Sequence, residues 1–176
     1  HLQREGPQIA GDAFIVGGRI AFHALANEHF NENCNPFVPI GESFPSTVAP
    51  SVQSKVIQEI DRLLHLLEMR SGAINIDAII DRNGEVYLME IGPRNGGNLI
   101  PEVIRYCTGV DLVAYTIESA LGRDCSRLKH TTPTGCFSSY IVHSEGEGIF
   151  EELLIENLLR DKIVEMNLHV EPGRKV

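Results

Sequence analysis

Apolar and polar positions change period along this chain, and the changes mark its elements. Ile9, Phe14, Ile15 and Val16 form an apolar run that ends at Gly17-Gly18. Ile20, Phe22, Ala24 and Ala26 then alternate with Arg19, Ala21, His23 and Leu25. Two such runs, 8–16 and 19–27, joined by Gly-Gly predict a β-hairpin, because a tight hairpin turn needs residues that accept positive φ. Residues 31–50 hold Pro36, Pro39, Pro45 and Pro50 among several Asn and Ser. That stretch reads as loop with one short edge strand at 36–40, since proline cannot donate to an interior ladder. Over 51–70 the period becomes helical: Val52, Val56, Ile57, Ile60, Leu63, Leu64 and Leu67 form one stripe. Ser51 is the expected N-cap of this helix and Gly72 its stop.

Two β-rich runs, 73–82 and 85–91, flank Asn83-Gly84, the strongest short hairpin signal. A loop at 92–98 follows, then helices at 99–107 and 110–121, divided by Gly109 and ended by Gly122. The tail predicts a strand at 135–143, a helix at 149–160 and a strand at 162–170, where Val164, Met166, Leu168 and Val170 alternate with polar residues. No internal repeat or low-complexity segment interrupts the pattern. The fold class expected is α+β, an antiparallel β-sheet packed by helices.

The second hairpin carries the chemistry. If its turn is the two-residue loop Asn83-Gly84, opposed residues have numbers that sum to 167. Arg82 then faces Glu85, Ile80 faces Tyr87, Ala78 faces Met89, and Asp77 faces Glu90. Opposed side chains put their Cβ atoms about 4.5–5.5 Å apart on one face, where two carboxylates repel. A divalent cation between them removes the conflict and suits hard oxygen ligands. Asn75 lies two residues before Asp77 and shares its face, with Ile79 and Leu88 expected to flank the pair. The segment Gly92-Pro93-Arg94-Asn95-Gly96-Gly97-Asn98 adds an arginine, whose planar fork suits phosphate or carboxylate, and glycines whose amides can approach anionic oxygens.

Composition narrows the partners. The chain has 176 residues, 43% of them hydrophobic and 22% charged, which suits one domain with a sizeable core. Fifteen Lys and Arg against 24 Asp and Glu leave a net charge of −9. An acidic chain without a basic run argues against a nucleic-acid or anionic-membrane partner. No stretch is long and apolar enough to span a bilayer. Cys34, Cys107, Cys125 and Cys136 form no Cys-x-x-Cys pair and read as reduced thiols of a cytoplasmic protein. The P-loop, the dinucleotide fingerprint and the Gly-x-Ser-x-Gly elbow are absent. A self-contained Ca²⁺ domain would want about six to eight oxygen ligands, more than this spacing offers.

At these residues the sequence resembles the ATP-grasp superfamily. The resembling string is Ser71-Gly72-Ala73-Ile74-Asn75-Ile76-Asp77-Ala78-Ile79-Ile80-Asp81, then Glu85-Val86-Tyr87-Leu88-Met89-Glu90-Ile91-Gly92-Pro93-Arg94 and Gly96-Gly97. The Thr108-Gly109-Val110-Asp111-Leu112 step and Ala120-Leu121-Gly122 continue it, and Glu5-Gly6-Pro7-Gln8 with Gly11-Asp12 resembles an earlier strand. The tail through Pro172-Gly173 is similar to amino-acid ligases and related carboxylate–amine ligases, in a group that includes carbamoyl-phosphate-synthase-like proteins. The resemblance implies the C-terminal ATP-grasp subdomain over 1–130 and the start of a C-terminal α/β extension over 131–176, cut from a longer ligase.

That resemblance implies ATP with Mg²⁺ as cofactors, Mn²⁺ substituting, and small-molecule carboxylate and amine substrates. A homodimer is compatible with it. Asp77 and Glu90 map onto the acids that hold the metal. Arg94 maps onto the catalytic arginine, while Asn75, Asn95, Gly96 and Gly97 would contact the nucleotide. The residue two after the second acid is often Asn in the family; here it is Gly92, and Asn75 or Asn95 would stand in. The reaction implied passes through an acyl phosphate. The family's phosphate-gripping lysines and flap lie upstream of the resembling region, so this chain alone is expected to be inactive. The competing expectation is a non-catalytic ATP-grasp-like domain with a nucleotide-binding or assembly role.

Overall fold

A computed structural model describes residues 6–33, 35–144 and 146–176; Cys34 lies outside them. Its strands are β1 (Gln8–Val16), β2 (Arg19–Phe30), β3 (Pro39–Phe44), β4 (Ser71–Ile80), β5 (Val86–Gly92) and β6 (Phe137–Tyr140). They form one six-stranded sheet in the order β5-β4-β1-β2-β3-β6, every pairing antiparallel. β1 is buried from Ile9 to Ile15 because a strand flanks it on each side and side chains cover both its faces. It turns into β2 through Gly17 and Gly18, both at positive φ, as the sequence predicts.

The period of two sorts side chains between two helix layers. Ile9, Ala13, Ile15, Leu25, Ile74, Ile76, Ala78 and Ile80 meet Val56, Ile60 and Leu64 of helix α1 (Pro50–Leu67). On the other face Phe14, Phe22, Ala26, Phe44 and Ala73 meet Ile100, Val103, Ile104 and Cys107 of α2 (Ile100–Thr108) and Leu112 of α3 (Leu112–Ala120). Each large side chain buried this way contributes about 1.5–3 kcal/mol. No helix among the described residues is long and apolar enough to cross a membrane.

Several boundaries differ from expectation. α1 starts one residue early, with Ala49 at the cap and Pro50 in its first turn, where the fixed φ of proline is already helical. It ends on Glu68 in the left-handed region, so Leu67 is exposed, and Gly72 instead lies within β4 opposite Ile15. The short strand expected at 36–40 is β3, displaced to Pro39–Phe44 and interior, between β2 and β6. Proline occupies only its first residue, where a missing N–H is tolerated.

Two compact units are present, one reaching Ile141 and the other Val142–Val176. In the second, Gly148 and Val176 exchange backbone hydrogen bonds of 3.0 Å, and Ile149 bridges Lys175. The helix expected at 149–160 shrinks to α4 (Asn157–Arg160), and no strand forms at 162–170. Val164, Met166 and Leu168 are exposed there. A period-two pattern makes a strand only where a neighbour accepts its hydrogen bonds, and within this unit no described strand does so.

Candidate functional site

The β4–β5 hairpin reaches its register by two offsets that cancel. Its turn holds three residues, not two. The Asp81 amide donates to the Glu85 carbonyl at 2.9 Å, and Gly84, at φ 75°, donates to the Asp81 carbonyl. Asp81 Oδ1 accepts from the amides of Asn83 and Glu85, fixing the turn. This places Ile80 opposite Val86, Ile79 opposite Tyr87 and Ala78 opposite Leu88. The expected pairs Arg82–Glu85, Ile80–Tyr87 and Ala78–Met89 are therefore overturned, and Leu88 belongs to the α1 face. Glu85 instead pairs with Lys55 at 3.2 Å. A β-bulge then absorbs Met89, and from there Asp77 opposes Glu90, Ile76 opposes Ile91 and Asn75 opposes Gly92. The acid pair stands where the simpler register puts it, though the path to it differs.

The surroundings of the pair are polar and mutually tied. Burial raises the Asp77 pKa, Glu90 raises it further, and Arg94 lowers it. Arg94 lies over Gly92: a Cβ added to that glycine would stand 3.4 Å from Arg94 Cγ and 3.5 Å from Nε. Arg94 Nη1 donates to the Asn95 carbonyl at 3.0 Å, which steadies the guanidinium. Asn75 Nδ2 donates to Asp12 Oδ1 at 3.0 Å and to the Gly11 carbonyl at 3.2 Å.

Asp12 is the residue that sequence reasoning passed over. It is fully buried on β1, opposite Asn75, and burial pushes its pKa to about 6 against the pull of Gly96, Asn75 and Arg94. The Gly96 amide donates to both Asp12 oxygens at 2.9 Å. A Cβ at Gly96 would stand 2.9 Å from Ile100 Cδ1 and 3.0 Å from Asp12 Oδ1, so only glycine lets this backbone reach the carboxylate. The one sequence signal for Asp12 was an acid in the middle of an apolar strand.

Asn75, Asp77, Glu90, Arg94 and Gly96 thus gather at one sheet face with Asp12. Asn95 turns away, its Nδ2 donating to Thr116 Oγ1 of α3 at 3.0 Å. Gly97 stands in open space, followed by Asn98 and Leu99 at φ 50° and 65°. Non-glycine residues in that region store strain of about 1–3 kcal/mol each, a feature that clusters at ligand-binding loops. No group of three or more His, Cys, Asp or Glu suited to a metal occurs among the described residues. Two carboxylates still fit Mg²⁺, which retains waters and commonly takes one or two protein carboxylates plus phosphate oxygens.

No family model matches this chain. A protein of Sinorhizobium fredii (strain NBRC 101917 / NGR234), the uncharacterised y4rH, is 21% identical over 182 residues, covering 100% of this chain and 38% of that protein. Among solved structures, phosphoribosylglycinamide synthetase from Anaerococcus prevotii has a TM-score of 0.79 at 23% identity, over 97% of this chain and 44% of that one. L-amino acid ligase from Bacillus licheniformis has a TM-score of 0.80 at 19% identity, over 99% of this chain and 43% of that one. The chain has the fold of an ATP-grasp subdomain. A third ATP-grasp likeness, at TM-score 0.60 and 18% identity, is the biotin carboxylase domain of Hydrogenobacter thermophilus 2-oxoglutarate carboxylase, solved with MgADP and bicarbonate; it covers 75% of this chain and 28% of that one. The chain spans less than half the length of each of these relatives.

Proposed function

We propose that this chain is the C-terminal ATP-grasp subdomain, residues 1–130, with the start of an α/β extension over 131–176, of an ATP-dependent ligase that joins a carboxylate to an amine. The observation that carries the reading is the Asp77–Glu90 pair opposed across β4 and β5, with Arg94 folded beside it over Gly92. Asp77 and Glu90 would hold Mg²⁺, which when bound supplies charge neutralisation for nucleotide phosphates. In the reaction, a substrate carboxylate oxygen attacks the γ-phosphorus of ATP and ADP leaves. A neutral amine then attacks the acyl carbon of the acyl phosphate, inorganic phosphate leaves, and the nitrogen gives up its proton.

The residues of this chain act by position and charge. Arg94 offers paired N–H donors to the phosphoryl oxygens as their charge develops. Asp12 holds the Gly96 amide and so sets the path of the loop beyond Arg94. Asn75 fixes Asp12 through Nδ2. Gly97, exposed and with open space where a Cβ would stand, gives backbone access for an anionic group. Full-length protein with Mg-ATP and pooled carboxylates and amines tests the proposal: ADP release that requires both a carboxylate and an amine supports it. The second reading, a non-catalytic nucleotide-binding or assembly domain, draws on Gly92, which has no side chain to offer a metal. ATP binding with no ADP release in any pool would favour it.

A further inference from the structure

Where α2 meets β6, two cysteines stand together that the acid site does not use. Cys107 lies in the last turn of α2 and is 1% exposed, while Cys136 immediately precedes β6 and is exposed. Their neighbours hold them in register. The Thr134 amide and hydroxyl both donate to the Cys107 carbonyl, at 2.8 and 3.2 Å. Tyr106 stacks on Phe137, with ring centroids 5.9 Å apart. Cys107 Sγ itself donates to the Gly135 carbonyl at 3.2 Å. That carbonyl belongs to the peptide entering Cys136, whose Cα therefore lies within about 6 Å of the Cys107 sulfur. Burial, then the nearby Cys136, raises the Cys107 pKa, so the two thiols are within electrostatic reach of each other.

A disulfide joins Cα atoms about 4.4–6.8 Å apart, a separation that this clamped pair is placed to reach. Residues 131–136 are in neither helix nor strand, so the chain entering Cys136 can adjust toward α2 without breaking a ladder. Cys125 does not compete for either partner: its Sγ turns to the Tyr115 and Arg123 carbonyls, at 3.8 and 3.7 Å. Nor do Cys107 and Cys136 belong to a group of three or more metal-ligating side chains among the described residues. The two differ in access, since solvent reaches Cys136 and not Cys107. An exposed thiol beside a buried one is the arrangement that lets the first meet an oxidant and the second resolve it.

We propose that Cys107 and Cys136 are a peroxide-responsive pair, in which Cys136 is oxidised first and Cys107 then closes a reversible disulfide with it. The Cys136 thiolate attacks one peroxide oxygen, the O–O bond breaks, and the departing hydroxide takes up a proton to become water, leaving a sulfenic acid. The Cys107 sulfur then attacks the Cys136 sulfur and the S–O bond breaks. The second hydroxide leaves with the proton that Cys107 gives up. Two thiols and one peroxide thus become one disulfide and two waters, and a dithiol reductant reverses the change. The bond ties the last turn of α2 to the start of β6 and encloses α3 in a covalent loop. It lies at the end of α2 away from Gly96 and Ile100, so none of this chemistry draws on the ligase reading.

The test treats full-length protein with hydrogen peroxide, blocks the remaining thiols with N-ethylmaleimide and digests with trypsin in the absence of reductant. Cleavage at Arg105, Arg123, Lys129 and Arg160 leaves Cys107 and Cys136 on separate peptides, neither holding another cysteine. Mass spectrometry should find the two peptides joined, lighter than their sum by two hydrogens, and parted by dithiothreitol. In Cys136→Ser, Cys107 should remain a maleimide-blocked free thiol at the same peroxide dose. In Cys107→Ser, dimedone should capture Cys136 as a sulfenic acid about tenfold more than in wild type, because nothing resolves it. Circular dichroism checks folding; if the buried Cys107→Ser does not fold, the exposed Cys136→Ser decides alone. Peptides that stay unlinked, whether Cys136 is untouched, capped or oxidised to sulfinic acid, overturn the proposal. So does a bond from either cysteine to a different one, or a Cys107 oxidised equally in Cys136→Ser.

Discussion

Two pairs of carboxylates face each other across adjacent strands on one side of this sheet, and their settings differ. Asp77 and Glu90 stand on β4 and the outermost strand β5, half-buried and exposed, with Arg94 near enough to lower the Asp77 pKa. Glu42 and Glu28 stand on interior strands, and Glu42 is buried among like charges. The exposure of the first pair is compatible with the proposed Mg²⁺, an ion that keeps several of its waters. The second pair is set deeper, with Glu42 only 6% exposed. Exposure, more than residue type, separates the two settings of the same opposed geometry.

The largest test of the contrast is Asp77→Asn in the full-length protein. Mg-ATP turnover, read as ADP release, should fall by at least about 100-fold, of the order seen when one transition-state charge contact is lost. The apo protein should melt no lower than the parent, since the change relieves repulsion from Glu90. A variant that keeps turnover would make the rim pair no different from ordinary surface acids.

Arg94→Ala sharpens the same end. It should lower kcat by roughly 10- to 100-fold with a smaller effect on ATP affinity, because the charge it meets grows in the transition state. Arg94→Lys should rescue only in part, a point charge replacing a fork. Equal losses in kcat and affinity would assign Arg94 to ground-state binding.

At the buried pair, the prediction is a pH dependence. Glu42 has its folded pKa raised from 4.5 to about 8. Between those values the unfolded chain releases the proton that the folded chain retains, so stability falls as pH rises. Glu42's own contribution to that loss should be about 4 kcal/mol between pH 4.5 and 8. Asp12, raised from 3.8 to about 6, has the same sign in a lower window. Denaturant unfolding of Glu42→Gln should flatten the slope above pH 6 and leave the Asp12 part. A wild-type stability that climbs from pH 6 to 8 would break the comparison at its base.

The smallest effect is expected at Gly96→Ala, at roughly 1–3 kcal/mol of destabilisation, because a methyl group there meets Ile100 and Asp12. Gly97→Ala, with open space around it, should stay within about 0.5 kcal/mol. Thermal melting distinguishes them, and equal shifts would mean that the Asp12–Gly96 contact does not fix the loop.

Local spacing by itself determined much of this protein. Gly17-Gly18 placed the first hairpin, the 3.6-residue stripe placed α1, and the two glycine-ended segments placed α2 and α3. Each depends on residues close in sequence, where φ preference and side-chain period act directly. The Asp77–Glu90 pair was legible for the same reason, although the three-residue turn and the Met89 bulge were not; one offset hid the other. The tail shows the limit of period alone, since 162–170 alternates correctly and forms no strand.

Only the tertiary structure decided what surrounds the acid pair. Asp12 meets Gly96 across 84 residues, and its carboxylate became part of the site because β1 runs beside β4. Glu42 acquired its like-charged neighbours because β3 was drawn into the sheet between β2 and β6, a place its prolines argued against. Contacts at such separation follow from strand order and burial, which are properties of the packed sheet as a whole. Near-neighbour chemistry sets which segments become strands and helices, but which buried charges meet is fixed only when those segments share a core.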